Sequence, residues 1–299
     1  MNKSFTLIEI LVVIVVVGIL SSFILVGMSS ITNKANIAKS QAFLNSMDNS
    51  LLLSRVSEWK LDDSSGTDSW NGRTATLVNT PILTPNCPQG SCYTFNSSLS
   101  QYAWIADNDN YFNFQTQMSA FVWVKGNPQD DKIFWGQYNT NSNQRAWAIQ
   151  ARNTGHIRVG LNDNGISDAG HRKSYIGTSL IAFNNEWHLV GFTWNFGVLK
   201  LYVDGKEETG INPYADDPIT TIYNSSAHIT ISCSLTGITP ENIFTGSLDD
   251  ARLYNKPILT SEAQQNYYFG LSNLLINNGF VLKEYNQRLT QLKEFLVFE

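Results

Sequence analysis

The chain has 299 residues, of which 15% are charged and 12% aromatic, with a formal net charge of −5. That charged fraction lies below the ~25% usual in soluble domains, and no long run of either sign occurs, which argues against nucleic acid as a partner. The length suits one large β domain with additions, since such domains often reach ~200–250 residues. Outside the apolar N-terminus the chain is rich in Asn, Ser and Thr, a surface that is polar without being strongly charged and reads as extracellular.

The chain opens MNKSFTLIEILVVIVVVGILSSFILVGM. Ile10 to Met28 holds no charge and no proline, about the ~20 residues a helix needs to cross a bilayer. A cleaved secretory peptide predicts a stronger basic region and a shorter apolar stretch. A plain anchor explains the length but leaves Glu9 unexplained, because a carboxylate is costly in hydrocarbon and implies a partner. Ile31, Ala35, Ala38 and Ala42 continue a helical stripe, and no proline occurs before Pro81, so one helix is expected from about Phe5 to Arg55.

The stretch KSFTLIE resembles the prepilin signature of type IV pilins and pseudopilins. The resemblance implies a leader of residues 1–4, cleaved between Ser4 and Phe5, with methylation of the new N-terminus at Phe5. Ser4 stands where the family normally has Gly. Glu9 lies four residues beyond Phe5, and in that family such a carboxylate meets the N-terminal amine of a neighbouring subunit. Its partners would be a prepilin peptidase and sister subunits.

After Glu58 the texture changes to short alternating segments parted by Asn, Gly, Asp and Ser clusters, the pattern of a β-sandwich. Cys87 and Cys92 bracket CPQGSC, whose Pro88 and Gly90 favour a reversal, and are read as a small disulfide loop. Cys233 reads as a buried strand cysteine. MSAFVWVKG puts Met118, Ala120, Val122 and Val124 on one face, and Asp204-Gly205 signals a hairpin turn.

Five pieces in order resemble a laminin-G-like, concanavalin A-like jelly roll: WKLDDSSGTDSWNGRTATL, CYTFNSSLSQYAWI, MSAFVWVK, EWHLVGFTWNFGVLKLYVDG and GSLDDARLYNKPILTSEA. They cover about Trp59 to Glu262. The resemblance implies a module for glycan binding, adhesion or structural spacing. It also points to calcium, through Asp62, Asp63, Asp68 and Asn71 in a turn-rich segment and Asp249 in LDDARLY. Strand alternation sets Asp249 on the apolar face and Asp250 on the other, and a carboxylate on an apolar face must be paired or metal-bound. The other reading is that Asp249 accepts backbone or Trp hydrogen bonds and that residues 62–71 form a solvated Asx-rich loop.

The same fold hosts glycan hydrolases, which need two carboxylates across the scissile bond. The Asp-Asp pairs at 130–131, 216–217 and 249–250 set neighbours on opposite faces of a strand, and no hydrolase or phosphate-loop motif occurs, so an enzyme is not expected. His188 follows Trp187 and reads as a core or hydrogen-bonded residue. Trp70, Tyr138, Trp147 and Tyr214 lie in or beside polar segments and are the aromatics considered for a glycan; the sequence does not choose among them.

TSEAQQNYYFG reads as a helix with Ser261 and Gln264 as a capping box and Gly270 as its end. The remainder reads as two short helices broken at Asn278-Gly279, either a subunit contact or a hairpin packed on its own β domain. The expected organisation is a leader (1–4), an N-terminal helix (5–56, transmembrane over about 5–28), a mostly β jelly roll (57–260) and a C-terminal helical hairpin (261–299). The leading reading is a type IV pilin-like filament subunit, a minor pilin or pseudopilin. It displays a lectin-like domain for adhesion to a glycan or surface. Before processing it sits in the cytoplasmic membrane with its body outside, and afterwards in a surface filament. The rivals are a structural major subunit that binds nothing and an anchored surface lectin that never polymerises.

Overall fold

The structure is a computed structural model that describes residues 7–8, 10–18, 51, 53–166, 168–179, 184–213, 217–277 and 279–296. Contacts divide the chain into two units, Met1–Asp48 and Asn49–Glu299. In the first, residues 7–8 and 10–18 are helical with exposed side chains. Among the described residues no helix is long and apolar enough to cross a membrane. Ser4, Phe5 and Glu9 lie outside the described residues, as does most of the predicted span.

The second unit is a β-sandwich followed by two helices. Its strands begin β1 (Arg55–Trp59), β2 (Thr76–Val78), β3 (Ile82–Cys87), β4 (Gly90–Phe95), β5 (Tyr102–Ile105) and β6 (Gln117–Gly126). They continue as β7 (Lys132–Asn139), β8 (Gln144–Ala151), β9 (Ile157–Gly165), β10 (Arg172–Gly177), β11 (His188–Asn195) and β12 (Val198–Val203). The last are β13 (Lys206–Glu207), β14 (Gly210–Ile211), β15 (Ile229–Ile231), β16 (Ser234–Thr236), β17 (Thr239–Glu241) and β18 (Gly246–Tyr254). One sheet has eight strands in the order β13-β12-β11-β6-β18-β4-β3, with β1 also on β18. The other has ten, ordered β14-β10-β9-β8-β7-β15-β5-β2, with β16 and β17 attached at β7.

The inner faces make the core. Met118, Ala120, Val122 and Val124 point into it as the alternation of β6 predicts, against Trp135, Trp147 and Phe192. The opposite face of β6, with Phe121 and Trp123, is buried under α1 (Thr260–Ile276) and α2 (Leu282–Leu296) in a second apolar cluster that includes Leu51 and both disulfide cysteines. The eight-stranded sheet is therefore covered on both faces. The C-terminal hairpin packs on its own β domain.

Three expectations are corrected here. The N-terminal helix does not reach Arg55, because Arg55 and Val56 belong to β1, whose backbone pairs with β18 from Tyr254 to Ala251. Gly270 does not end its helix. It sits inside α1 because a Cβ there would lie 2.1 Å from Trp123 Cζ2, so only a bare backbone lets the helix lie on the sheet. At the helix start it is Glu262 that closes the cap, its Oε2 accepting from Leu259 N–H at 2.6 Å. The Asp204-Gly205 hairpin is as expected, with φ of 53° and 75° in the left-handed region that a type I′ turn demands. Cys87 and Cys92 form a disulfide, and Cys233 is buried.

Candidate functional site

Strand β5 alternates in an unusual way. Ala103 and Ile105 enter the core, while Tyr102 and Trp104 stand half-exposed on the outer face of the ten-stranded sheet. Trp104 stacks on His228, the residue before β15, with ring centroids 4.5 Å apart and planes 23° from parallel. These rings wall a cavity of about 420 Å³ whose other sides are the 139–144 corner, Ser226 and Ala227, and the β16–β17 turn with Leu235 and Ile238.

Local hydrogen bonds hold these walls. Asn139 Oδ1 accepts the N–H groups of Asn141 at 3.0 Å and Gly237 at 2.9 Å, and its Nδ2 donates to Gly237 O at 2.8 Å. One amide thus ties the corner to the β16–β17 turn. Gln144 Oε1 accepts from Ser226 N–H at 2.8 Å and from Ser225 Oγ–H at 3.1 Å. Beneath the cavity Gln137 Nε2 donates to the buried Asp107 Oδ2 at 2.9 Å and to the carbonyls of Ser225 and Ala227, each at 3.0 Å. The 225–227 wall is therefore fixed from below, and Asn139 fixes the corner to the β16–β17 turn, a preorganisation that suits a concave surface to binding.

Burial pushes His228 below its ordinary pKa, and the nearby Asp107 charge only partly opposes this. Burial likewise raises the Tyr102 phenol. Both rings are neutral at pH 7. The site offers an apolar ring face, a phenol, an imidazole and amides, which suits a hydroxyl-bearing ligand with one apolar face.

The four aromatics weighed from sequence lie elsewhere. Trp147 is in the core, edge-on to Trp135 with centroids 5.3 Å apart. Trp70 is exposed beneath the Arg55 guanidinium, Tyr138 is half-buried under Arg145, and Tyr214 lies outside the described residues. The signal for Trp104 was in SQYAWIAD, where two aromatics share the face opposite Ala103 and Ile105.

The structure does not bring the predicted calcium ligands into one site. Asp68 Oδ1 accepts the N–H groups of Glu58 at 2.9 Å and Trp70 at 2.8 Å, forming the turn on Trp59. Asn71 Nδ2 donates to Val56 O at 2.6 Å, and the exposed Asp63 caps Ser65. Asp62 and Asp249 do come together, on the disulfide turn. Asp249 Oδ2 accepts Gln89 N–H at 2.8 Å, and the Oδ1 atoms of both carboxylates are buried without a hydrogen-bond partner. Asp250, placed by alternation on the other face, is buried too, because β18 bulges between Asp249 and Arg252 and Asp250 has φ of 49°. Its Oδ1 accepts from Arg252 Nε at 2.7 Å. Calcium asks for six to eight oxygens, and among the described residues no three His, Cys, Asp or Glu side chains converge as metal ligands. The five residues as a set do not fit the ion.

Protons fit the remaining pair better. Burial raises Asp62 to about 6. Burial first and the Asp250 charge second raise Asp249 well above the ordinary carboxylate range. A carboxyl whose folded pKa exceeds its unfolded value stabilises the fold below the unfolded pKa and loses that contribution as pH rises through the folded one. For Asp62 the loss falls between about pH 4 and 6. Asp249→Asn is expected to keep or raise the thermal midpoint at pH 7 by a few degrees and to flatten its pH dependence. Unfolding scans from pH 4 to 8, with and without calcium, test this. A calcium-dependent midpoint that disappears in Asp249→Asn would restore the metal reading.

A family model described as the concanavalin A-like lectin/glucanases superfamily, laminin G type, matches residues 97–264, more than half of the chain. A second, the prokaryotic N-terminal methylation motif, matches residues 1–25. No curated protein matches the chain. Among solved structures, the binding domain of Paraclostridial Mosquitocidal Protein 1 is similar at 15% identity and TM-score 0.56, over 74% of this chain and 53% of that one. The ligand binding domain of botulinum neurotoxin serotype D, in complex with N-acetylneuraminic acid, has 19% identity and TM-score 0.54, over 75% and 52%. Domain 4 of AbnA, a GH43 extracellular arabinanase from Geobacillus stearothermophilus in complex with arabinotriose, has 15% identity and TM-score 0.52, over 72% and 98%. The chain thus spans about half the length of the two toxin domains and nearly all of the arabinanase domain. At these identities the likeness is one of fold.

Proposed function

The chain belongs to the concanavalin A-like lectin/glucanases superfamily, and from that premise we propose that it is a type IV pilin-like filament subunit whose β domain binds a glycan in the Trp104 cavity. It serves adhesion as a minor pilin or pseudopilin. The observation that carries this reading is the joining, in one chain, of a prepilin methylation motif to a lectin-like domain. The cavity between Trp104, His228 and Ile238 supports a binding role for that domain. Among the described residues its walls carry no carboxylate, which supports binding without hydrolysis.

The precursor is held in the cytoplasmic membrane by its N-terminal segment, with Lys3 inside. Prepilin peptidase cleaves between Ser4 and Phe5. Glu9 then pairs with the amine of a sister subunit, which offsets the cost of a carboxylate in an apolar bundle.

Mass spectrometry of the protein recovered from cells tests the reading, with methylated Phe5 as the expected first residue. In Glu9→Val the same processed chain is expected, but the amount in sheared filaments falls to background. An intact leader, or filaments unchanged by Glu9→Val, would leave an anchored lectin that does not polymerise.

A further inference from the structure

We infer that the cavity is built for a short neutral saccharide and discriminates against acidic sugars. This rests on the glycan-binding role just proposed and names the chemical class of the ligand.

Among the described residues the cavity walls contain no Lys, Arg, Asp or Glu. A sugar carboxylate or sulfate is held by a guanidinium, an ammonium or several converging N–H groups, because taking an anion out of water is costly without them. Among the described residues no guanidinium or ammonium faces this cavity. Its two titratable groups are neutral near pH 7, and the charge that acts on His228 is that of the buried Asp107 below. A carboxylate under the floor opposes a second anion above it.

What the walls do offer matches a neutral ring. Trp104 presents an apolar plane, backed by His228, to one side of the space. Ile238, 94% exposed at the tip of the β16–β17 turn, is an apolar residue on the rim. A large aliphatic side chain left that open has no folding role, since it buries almost nothing. Between these apolar elements lie Asn141, Gln144 and Tyr102, whose amide and hydroxyl groups pair singly with sugar hydroxyls. The volume of about 420 Å³ is near the small end of the ~300–1,000 Å³ range of ligand sites. It admits a terminal or short saccharide segment.

The full-length protein, in detergent micelles at physiological salt, is applied to an array of neutral oligosaccharides (glucose-, galactose-, mannose- and arabinose-based) and of sialylated, uronate and sulfated ones. Titration calorimetry on the retained compounds gives affinities. Neutral glycans are expected to bind, and their acid-bearing analogues to bind at least about tenfold more weakly, a difference of ~1.4 kcal/mol. Trp104→Ala should lose about tenfold or more of the neutral affinity. Ile238→Ser, on a side chain too exposed to affect folding, should lose several-fold. Acidic glycans bound preferentially through Trp104 would overturn this inference and leave the glycan-binding role standing. Neutral binding indifferent to both variants would place the site elsewhere and overturn it as well. Binding to no glycan would overturn both it and the glycan-binding role, while filament assembly stands on its own test.

Discussion

Gly270→Leu is expected to destabilise the β domain by about 3 kcal/mol, with a thermal midpoint lower by roughly 6–12 °C for a unit of this size. The cause is geometric. Gly270 lies in mid-helix, where glycine costs ~1 kcal/mol relative to alanine, so propensity alone predicts that alanine or leucine there would stabilise. A Cβ there would come within 2.1 Å of Trp123 Cζ2 and 2.4 Å of Cε2. Trp123 cannot yield, because it is 1% exposed and stacks on Tyr267 of the same helix with centroids 5.6 Å apart. Six residues earlier on the helix the β12–β13 turn makes a second close approach, since a Cβ on Gly205 would lie 2.7 Å from Gln264 Cα. Two glycines, one on each element, set how closely α1 approaches the eight-stranded sheet. Gly270→Ala sets ~1 kcal/mol of helix propensity against overpacking of ~1–3 kcal/mol, and a smaller net loss is expected. Circular dichroism melts of the three proteins decide the matter. A Gly270→Leu protein melting with the wild type would show that the helix does not seat on Trp123.

His188→Ala is the second large effect, at about 3 kcal/mol. His188 is 2% exposed, its Nδ1 2.7 Å from Asp204 Oδ2 and its Nε2 3.0 Å from Asn184 Oδ1. The other oxygen of Asp204 accepts the Leu189 N–H at 3.1 Å. Removing the ring leaves Asp204 Oδ2 without that partner in a site that is only 8% exposed, and a buried acceptor without a donor costs ~1–3 kcal/mol before lost packing is added. Asp204 also opens the turn whose Gly205 meets α1, so the loss should propagate to the seat of the helix. A double-mutant cycle with Asp204→Asn gives the coupling. Additive effects would mean that the two side chains do not act together. The pair belongs to the fold, in keeping with the reading of His188 as a hydrogen-bonded core residue.

Much of the architecture was legible because strand alternation has a short, strict period. Met118 to Val124 and the Asp204-Gly205 turn needed only local rules, and the pairing of Cys87 with Cys92 followed from a short reversal. The Trp104 cavity was not legible in the same way. Trp104 and His228 are far apart in sequence and meet because β5 and β15 are neighbours in the sheet, with Thr230 opposite Trp104. The carboxylates show the same division. Alternation marked Asp249 as inward, and it is fully buried, but a bulge of one strand buried Asp250 as well and turned it to Arg252. Gly270 carried a local stop signal, and packing against Trp123 overrode it.

The sequence by itself determined the classes of element, the membrane-length apolar segment with its prepilin signature, and the lectin-like order of strands. These are properties of periodicity and of motifs a few residues long, and such properties survive in one dimension. Only the tertiary structure decided which aromatics face solvent, which acids are held together and which helix face meets the sheet. Each of those depends on contacts between residues scores of positions apart, whose distances are set by sheet order and register.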